Sequence, residues 1–378
     1  MSDAGQNSGA IDRKQLLASV KSIVVKIGTN ALSDAKGRLD HGLIAHFAHQ
    51  VATLRQRGIR VTMVSSGAIG AGMAELGLTE RPKELPMLQA AASVGQSILM
   101  NDFAAAFRPH SLHVGQILIT RSDFEDRSRY LNLRNCIHAL HETCTVPIIN
   151  ENDSVAVAEI RFGDNDVIAA QITNLLRADL LILLTVVDGL LDPTGKTILV
   201  VHDFDDAHNH VTDSKSSRGT GGMGSKLFAA GTVRHAGEPV LIANGKTENI
   251  ILKLLAGEET GTLILPANKK MSARSRWIAM TAKTLGTLTI DDGAARALRA
   301  NKSLLASGIL SATGEFDKGD PVAVADKAGV IVARGLTNYR SADIELIKGH
   351  KTTEFAGLLH TETYYDEVIH RDDLVLEG

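Results

Sequence analysis

Two lysines, a serine and two clusters of acids and amides stand out for the chemistry they could share. Lys26 falls at the end of the apolar run Ser22–Ile27 and is followed by Gly28-Thr29-Asn30. An ammonium at the end of a buried strand is costly unless it meets an anion, so Lys26 is a candidate phosphate contact. Gly28 would let the backbone approach a ligand, and Thr29 offers a hydroxyl. Val64-Ser65-Ser66-Gly67-Ala68 reads as a strand turning into a helix, and free N–H groups at such a start bind anions. Asn150-Glu151-Asn152-Asp153 and Gly163-Asp164-Asn165-Asp166 supply the acceptors and donors that an amino-acid ligand needs. The glycine-rich stretch 219–226 ends in Lys226 and resembles a P-loop. Its order is Ser-Lys, however, and the run before it (Ser214-Lys215-Ser216-Ser217-Arg218) is polar, so it is not a Walker A loop. Each segment alone also has a structural reading: a lysine reaching to water, a tight turn, an N-cap or a mobile linker.

No histidine falls in these segments, although the chain has 14. Pairs such as His46/His49 and His138/His141 have helical spacing without a third ligand. GxSxG and HExxH motifs are absent. A missing base suits one acceptor type. A carboxylate nucleophile, with a reference pKa of about 4.3, is already ionised at neutral pH. Phosphoryl transfer to it needs charge management instead. Two like charges 4 Å apart repel by roughly 4 kcal/mol at an effective dielectric constant of 20. Two lysines, Mg²⁺ and helix-start amides can offset that repulsion and hold the reactants in line.

These residues need strands to present them. Strands are expected at 22–27, 60–64, 115–119, 146–149, 180–186 and 239–242. Helical patterns are expected at about 41–57 (ending at Gly58), 87–107, 130–142, 166–177, 223–235 and 247–255. This alternation predicts an α/β fold with an open, mainly parallel sheet between helices. Ligands then bind beyond the carboxyl ends of the strands, where the candidate residues fall. Residues 1–20 read as a flexible N-terminal tail and 21–267 as the α/β domain. The basic stretch in 268–283 reads as a linker. Short β-like pieces at 286–290, 321–325, 330–333 and 363–368 predict a small β-rich domain at 284–370.

A formal charge of −3 gives no global attraction to nucleic acid or an anionic membrane. Cys136 and Cys144 make neither a disulfide framework nor a CxxC pair. No run is apolar enough to span a bilayer and the N-terminus has no signal-peptide core, so a cytoplasmic protein is expected.

In this order, Val-Val-Lys-Ile-Gly-Thr (24–29), Ser-Ser-Gly-Ala-Ile (65–69), Asn-Glu-Asn-Asp (150–153), Gly-Asp-Asn-Asp (163–166) and Gly-Thr-Gly-Gly-Met (219–223) resemble the amino acid kinase family. Within it they resemble the branch that phosphorylates the side-chain carboxylate of L-glutamate at the start of proline biosynthesis. Val114-Gly115-Gln116, Arg121-Ser122-Asp123 and Glu125-Asp126-Arg127 are also similar. The resemblance implies ATP and L-glutamate as substrates, Mg²⁺ arriving with ATP, and proline as a feedback inhibitor. It makes Lys26, Asp166 and Lys226 catalytic, with Asp166 orienting the lysines. Ser66, Asn150, Asp153, Asp164 and Asn165 would hold glutamate. Thr185, Val186, Thr220, Gly221, Gly222, Met223, Gly224 and Ser225, with Lys26 and Lys226, would line the nucleotide. No protein side chain is assigned to the metal. Position 186 departs from the usual Thr-Asp strand end, so Val186 offers only its backbone and Asp188 is the candidate for a related role. The C-terminal part resembles a PUA domain, with Gly308-Ile309 and Gly319-Asp320 in that style. Its mixed charges lack a basic, aromatic face, so a regulatory or assembly role is favoured over RNA binding. A homo-oligomer, dimer or tetramer, is expected. The alternatives are a kinase acting on N-acetylglutamate or aspartate, and an RNA-binding protein whose kinase domain is idle.

Overall fold

The computed structural model describes residues 13–34, 38–156, 165–204, 207, 222–267, 270–280, 282–361 and 363–377. By contacts the chain divides into two units. One comprises residues up to Arg121 with Asn132–Lys270; the other comprises Ser122–Leu131 with Met271 onward.

The first unit holds an eight-stranded sheet. Its strands are β1 (Ser22–Ile27), β2 (Arg60–Val64), β3 (His113–Ile119), β4 (Thr145–Glu151), β5 (Leu180–Thr185), β6 (Val200–Val201), β7 (Val240–Asn244) and β8 (Thr262–Ile264). Their order is β3-β4-β2-β1-β5-β7-β8-β6. All pairs are parallel except β7 with β8. The six expected strands are all present, with ends shifted by a few residues at most.

Residues of β1 from Ile23 onward are all buried, so both faces of this central strand are covered, as a parallel sheet requires. The two-residue period divides them. Ile23, Val25 and Ile27 join Val61, Met63, Ile148, Ile182 and Leu241 in one core. That core is closed by Phe47 and Val51 of the helix His41–Gln56 and by Leu99, Phe103 and Phe107 of the helix Leu85–Phe107. Val24 and Lys26 point the other way, where the helix Asn165–Leu176 packs against β1. The helix Met223–His235 packs on that helix in turn. The strand period therefore sends Lys26 toward the helix that begins with Asn165 and Asp166. The helix His41–Gln56 starts at Asp40, whose side chain accepts from the Leu43 amide at 3.0 Å. It ends before Gly58, which takes the left-handed conformation (φ 80°) that glycine tolerates.

In the second unit a five-stranded sheet has the order β10-β9-β11-β12-β13. These strands are β9 (Gly286–Ile290), β10 (Ile309–Gly314), β11 (Pro321–Ala325), β12 (Ile331–Leu336) and β13 (Leu374–Leu376). Pairs are antiparallel except β9 with β11. Leu288, Ile290, Val322, Val324, Ile344, Phe355 and Val368 form its core.

Four expectations change. The expected tail contains a helix, Arg13–Ala18, because Leu17 docks into the core of the first unit. The expected linker contains the helix Ala273–Met280, with Arg276, Trp277 and Ile278 buried. Trp277 donates its Nε1–H to the Phe124 carbonyl at 3.3 Å and meets Tyr130 edge-on, and Arg127 lies 4.7 Å over its ring. Residues 363–368 are not a strand. Side chains engage part of their backbone: the Tyr365 amide donates to Tyr339 Oη at 2.8 Å, and Thr352 donates to the Asp366 carbonyl at 3.2 Å, while Val368 bonds the backbone of Leu304 and Asn338 outside any strand. The strand β10 was unexpected, since Ile309 is its only buried residue and no alternation shows. Among the described residues no helix is long and apolar enough to cross a membrane.

Candidate active site

The carboxyl ends of β2, β1 and β5 lie side by side, with Lys26 in register with Val64 on one neighbour and Leu183 on the other. Lys26 is 6% exposed and its Nζ lies 2.7 Å from Asp166 Oδ1. Lys226, 4% exposed, reaches the other oxygen of Asp166 at 3.1 Å. Ser225 Oγ donates to that same Oδ2 at 3.0 Å. Asp166 has no exposed surface. Burial by itself pushes its carboxyl up, but the two ammonium groups and their hydrogen bonds outweigh this and hold it at about 2. It is therefore an anion at any working pH, a fixed counter-ion rather than a base. Two cations flanking one anion leave a net positive charge facing the site.

The packing of three elements explains the meeting. Lys26 is the last residue but one of β1, Asp166 lies in the first turn of the helix Asn165–Leu176, and Lys226 lies in the first turn of the helix Met223–His235 that packs on it. The helix Met223–His235 begins after Gly222, and among the described residues no atom lies within 4 Å of the position a Gly224 side-chain carbon would take.

A second cluster lies beside the first. Ser65 follows β2, and its amide donates to the Ile149 carbonyl at 2.8 Å and ties the turn to β4. Ser66 follows, then Gly67 in a left-handed conformation (φ 102°) that a side chain would strain, then the helix Ala68–Glu75. Asn165 Nδ2 donates to Ser66 Oγ at 3.0 Å and to Asn150 Oδ1 at 3.3 Å. Asn150 Nδ2 donates to Gln96 Oε1 at 2.8 Å. All four residues are buried. Gln96, on the helix Leu85–Phe107, was not foreseen; it belongs to an ordinary amphipathic helical pattern and nothing in its local sequence marks it.

Asp153 lies in the turn that follows β4, half-buried. Burial lifts its carboxyl to about 6, against the lowering pull of Arg81. Thr185 ends β5, and its carbonyl accepts from the Gly245 amide at 2.8 Å. Val186 is exposed, and Asp188 accepts from Asn244 Nδ2 at 2.9 Å, which ties the loop after β5 to the end of β7. Asp164, Thr220 and Gly221 lie outside the described residues. Among the described residues no three or more His, Cys, Asp or Glu gather as a metal site. The oxygens of Asp166 face Lys26, Lys226 and Ser225, so this carboxylate is engaged with cations of the protein itself.

The family model described as the amino acid kinase family matches residues 21–244, and the PUA domain model matches residues 286–359. The chain belongs to the amino acid kinase family and carries a C-terminal PUA domain. It is 46% identical to a glutamate 5-kinase from Caldanaerobacter subterraneus subsp. tengcongensis, over 94% of this chain and 97% of that protein. It is 44% identical to a glutamate 5-kinase from Syntrophus aciditrophicus, over 97% of this chain and 96% of that protein. Among solved structures, the carbamate kinase from Giardia lamblia matches 66% of this chain and 99% of its own, with 17% identity and a TM-score of 0.48.

Proposed function

We propose that this chain is an ATP-dependent kinase of the L-glutamate side-chain carboxylate, forming L-glutamyl 5-phosphate in the first step of proline biosynthesis. The observation that carries the mechanism is Asp166, buried and ionised between Lys26 and Lys226 at 2.7 and 3.1 Å. In this mechanism a glutamate Oε attacks the γ-phosphorus of ATP. The new Oε–P bond forms as the bond from phosphorus to the β,γ-bridging oxygen breaks, and ADP leaves. The nucleophile brings its own negative charge, so no proton has to be removed. The two ammonium groups offset the repulsion between carboxylate and phosphate and meet the charge that grows on the leaving oxygens. Asp166 holds both lysines in place. Mg²⁺, carried on the phosphates, supplies further neutralisation when bound; no side chain described here is assigned to it.

Ser66, Asn150, Asp153, Asp164 and Asn165 are assigned to glutamate. Asn165 Oδ1 supports this, since it is buried without a hydrogen-bond partner among the described residues and suits an ammonium group. Proline shares the α-nitrogen and α-carboxylate, and is proposed to compete there. Thr185, the Val186 backbone and residues 220–226 are assigned to the nucleotide. The domain limits proposed are 21–267 for the kinase and 284–370 for the PUA-like domain, extended by the helix Arg13–Ala18 in the first and by β13 (Leu374–Leu376) in the second; the PUA-like domain is proposed to be regulatory or structural. The enzyme is proposed to be cytoplasmic and a dimer or tetramer, which light scattering after gel filtration would check.

The test is trapping of the acyl phosphate with hydroxylamine in the presence of MgATP and one candidate acceptor at a time. Glutamate is expected to give the hydroxamate. Hydroxamate from N-acetylglutamate or aspartate, with none from glutamate, would overturn the substrate assignment. Lys226→Ala is expected to lower turnover far more than it weakens glutamate binding; unchanged turnover would remove Lys226 from the mechanism.

A further inference from the structure

The amides of Gln96, Asn150 and Asn165 form a relay whose direction is set by the backbone. The Glu151 amide donates to Asn150 Oδ1 at 2.9 Å, and a backbone N–H can only donate. Asn150 Oδ1 is therefore an acceptor, and its Nδ2 must be turned toward Gln96. Gln96 must accept through Oε1, as it does at 2.8 Å. On the other side Asn165 must meet the same Asn150 oxygen with its Nδ2, at 3.3 Å. Asn165 Oδ1 is then left over as an acceptor and Gln96 Nε2 as a donor. Both atoms are buried and without a hydrogen-bond partner among the described residues, on side chains 9% and 8% exposed. A buried polar atom without a partner costs about 1–3 kcal/mol, and a relay built only for stability would be expected to close on itself.

Gln96 is also held firmly. The neighbouring Gly95 touches the helix that follows Ser66: a side-chain carbon at Gly95 would lie 1.8 Å from the Ala68 carbonyl oxygen. The reciprocal contact is at Gly72, where it would lie 1.7 Å from the Ala91 carbonyl oxygen. Two helices in backbone contact thus set the height of Gln96 against Ser66 and Asn150.

We infer that Gln96 is a positioning residue of the amino-acid site, which keeps Asn150 from rotating and so holds Asn165 with its carbonyl oxygen free for the substrate ammonium. This rests on the assignment of Ser66, Asn150 and Asn165 to glutamate. Without the acceptor at Gln96, Asn150 is held through its oxygen alone, and its Nδ2 loses the bond that fixes the other end of the amide. Asn165 could then turn, offering a donor where the ammonium needs an acceptor.

The test is a double-mutant cycle read in steady-state kinetics on the full chain. Gln96→Met keeps the length of the side chain and removes both polar atoms. It is expected to raise the KM for glutamate by about tenfold, the effect of one net hydrogen bond, with the KM for ATP changed less than about twofold and the melting temperature nearly kept. In an Asn150→Ala background the same substitution is expected to change kcat/KM for glutamate by less than about twofold, since its route to the substrate is gone. Should the methionine variant fail to fold, Gln96→Glu serves in its place, and any effect it has must likewise vanish beside Asn150→Ala. An unchanged glutamate KM in Gln96→Met, or an effect that multiplies independently with Asn150→Ala, overturns the inference. Asn165→Ala separates the two layers: if it leaves the glutamate KM unchanged, the site assignment itself fails, whatever Gln96 does.

Discussion

Replacing Asp166 by asparagine tests how the two lysines are held. The change removes one negative charge from a site with no solvent exposure and leaves two buried ammonium groups facing each other. At about 3 Å and an effective dielectric constant of 20, each lost attraction is worth roughly 5 kcal/mol before desolvation is subtracted. Breaking a buried ion pair by removing one partner costs about 3–5 kcal/mol net. Asp166→Asn should therefore lower the free energy of unfolding by about that amount, read as a lower urea midpoint with unchanged m-value. The phosphates of MgATP can stand in for the missing anion, so saturating nucleotide should stabilise the variant more than it stabilises the native enzyme. Turnover should fall by at least about two orders of magnitude, because lysines that are not fixed cannot be pre-aimed at the phosphoryl group. The sign of the pH effect also follows. A folded-state pKa of about 2 lies below the reference of 3.8, so the stabilisation is present above pH 4 and is lost as pH falls toward 2. A variant with native stability and turnover within twofold of native would refute the counter-ion role.

Three further outcomes are expected. Asp153, lifted to about 6 by burial, should be protonated as pH falls through 6; the glutamate KM should then rise on that acid limb, and Asp153→Asn should flatten the limb. Gly95→Ala places a carbon 1.8 Å from the Ala68 carbonyl, so thermal denaturation should show a loss of at least about 1–3 kcal/mol, with a raised glutamate KM as the Ser66 turn moves. Burial, then the charges of Arg55, Arg60 and His138, hold His141 at about 4; its Nδ1 faces Arg55 Nη1 at 3.4 Å and its Nε2 meets Thr62 Oγ1 at 2.9 Å. The unfolded chain takes up this proton first, so stability should fall as pH drops from 6.5 toward 4, by up to roughly 2–3 kcal/mol for this group. His141→Gln should shrink the difference between urea midpoints at pH 8 and pH 5.

Much of the first unit was legible because its signals are local. A buried parallel strand is a short apolar run, and Leu180–Leu184 could scarcely be anything else. Lys26 was legible because it interrupts such a run where a strand meets its loop. Asp166 and Lys226 were legible as polar groups at helix starts, but their meeting through opposite oxygens of one carboxylate depends on two helices packing together across 60 residues of chain. Gln96 shows the limit. It is one polar residue in a long helical pattern, and only the crossing of two helices at Gly72 and Gly95 brings it to Asn150. The helix Ala273–Met280 was hidden for the opposite reason: Arg274 and Arg276 read as a solvated linker, whereas Arg276 is buried and donates Nε to the Met271 carbonyl at 3.1 Å. The segment 363–368 has strand-like residues, but its backbone bonds go to side chains and isolated backbone groups rather than to a neighbouring strand.

Phosphoryl transfer from ATP to an already ionised side-chain carboxylate of glutamate requires no protein base. The most direct measurement is the stoichiometry of ADP and glutamyl hydroxamate in single turnovers with glutamate and hydroxylamine, followed from about pH 6.5 to 9. One hydroxamate per ADP is predicted, at a rate that shows no titrating base across that range. ADP released without hydroxamate, or a rate that climbs tenfold per pH unit, would contradict it.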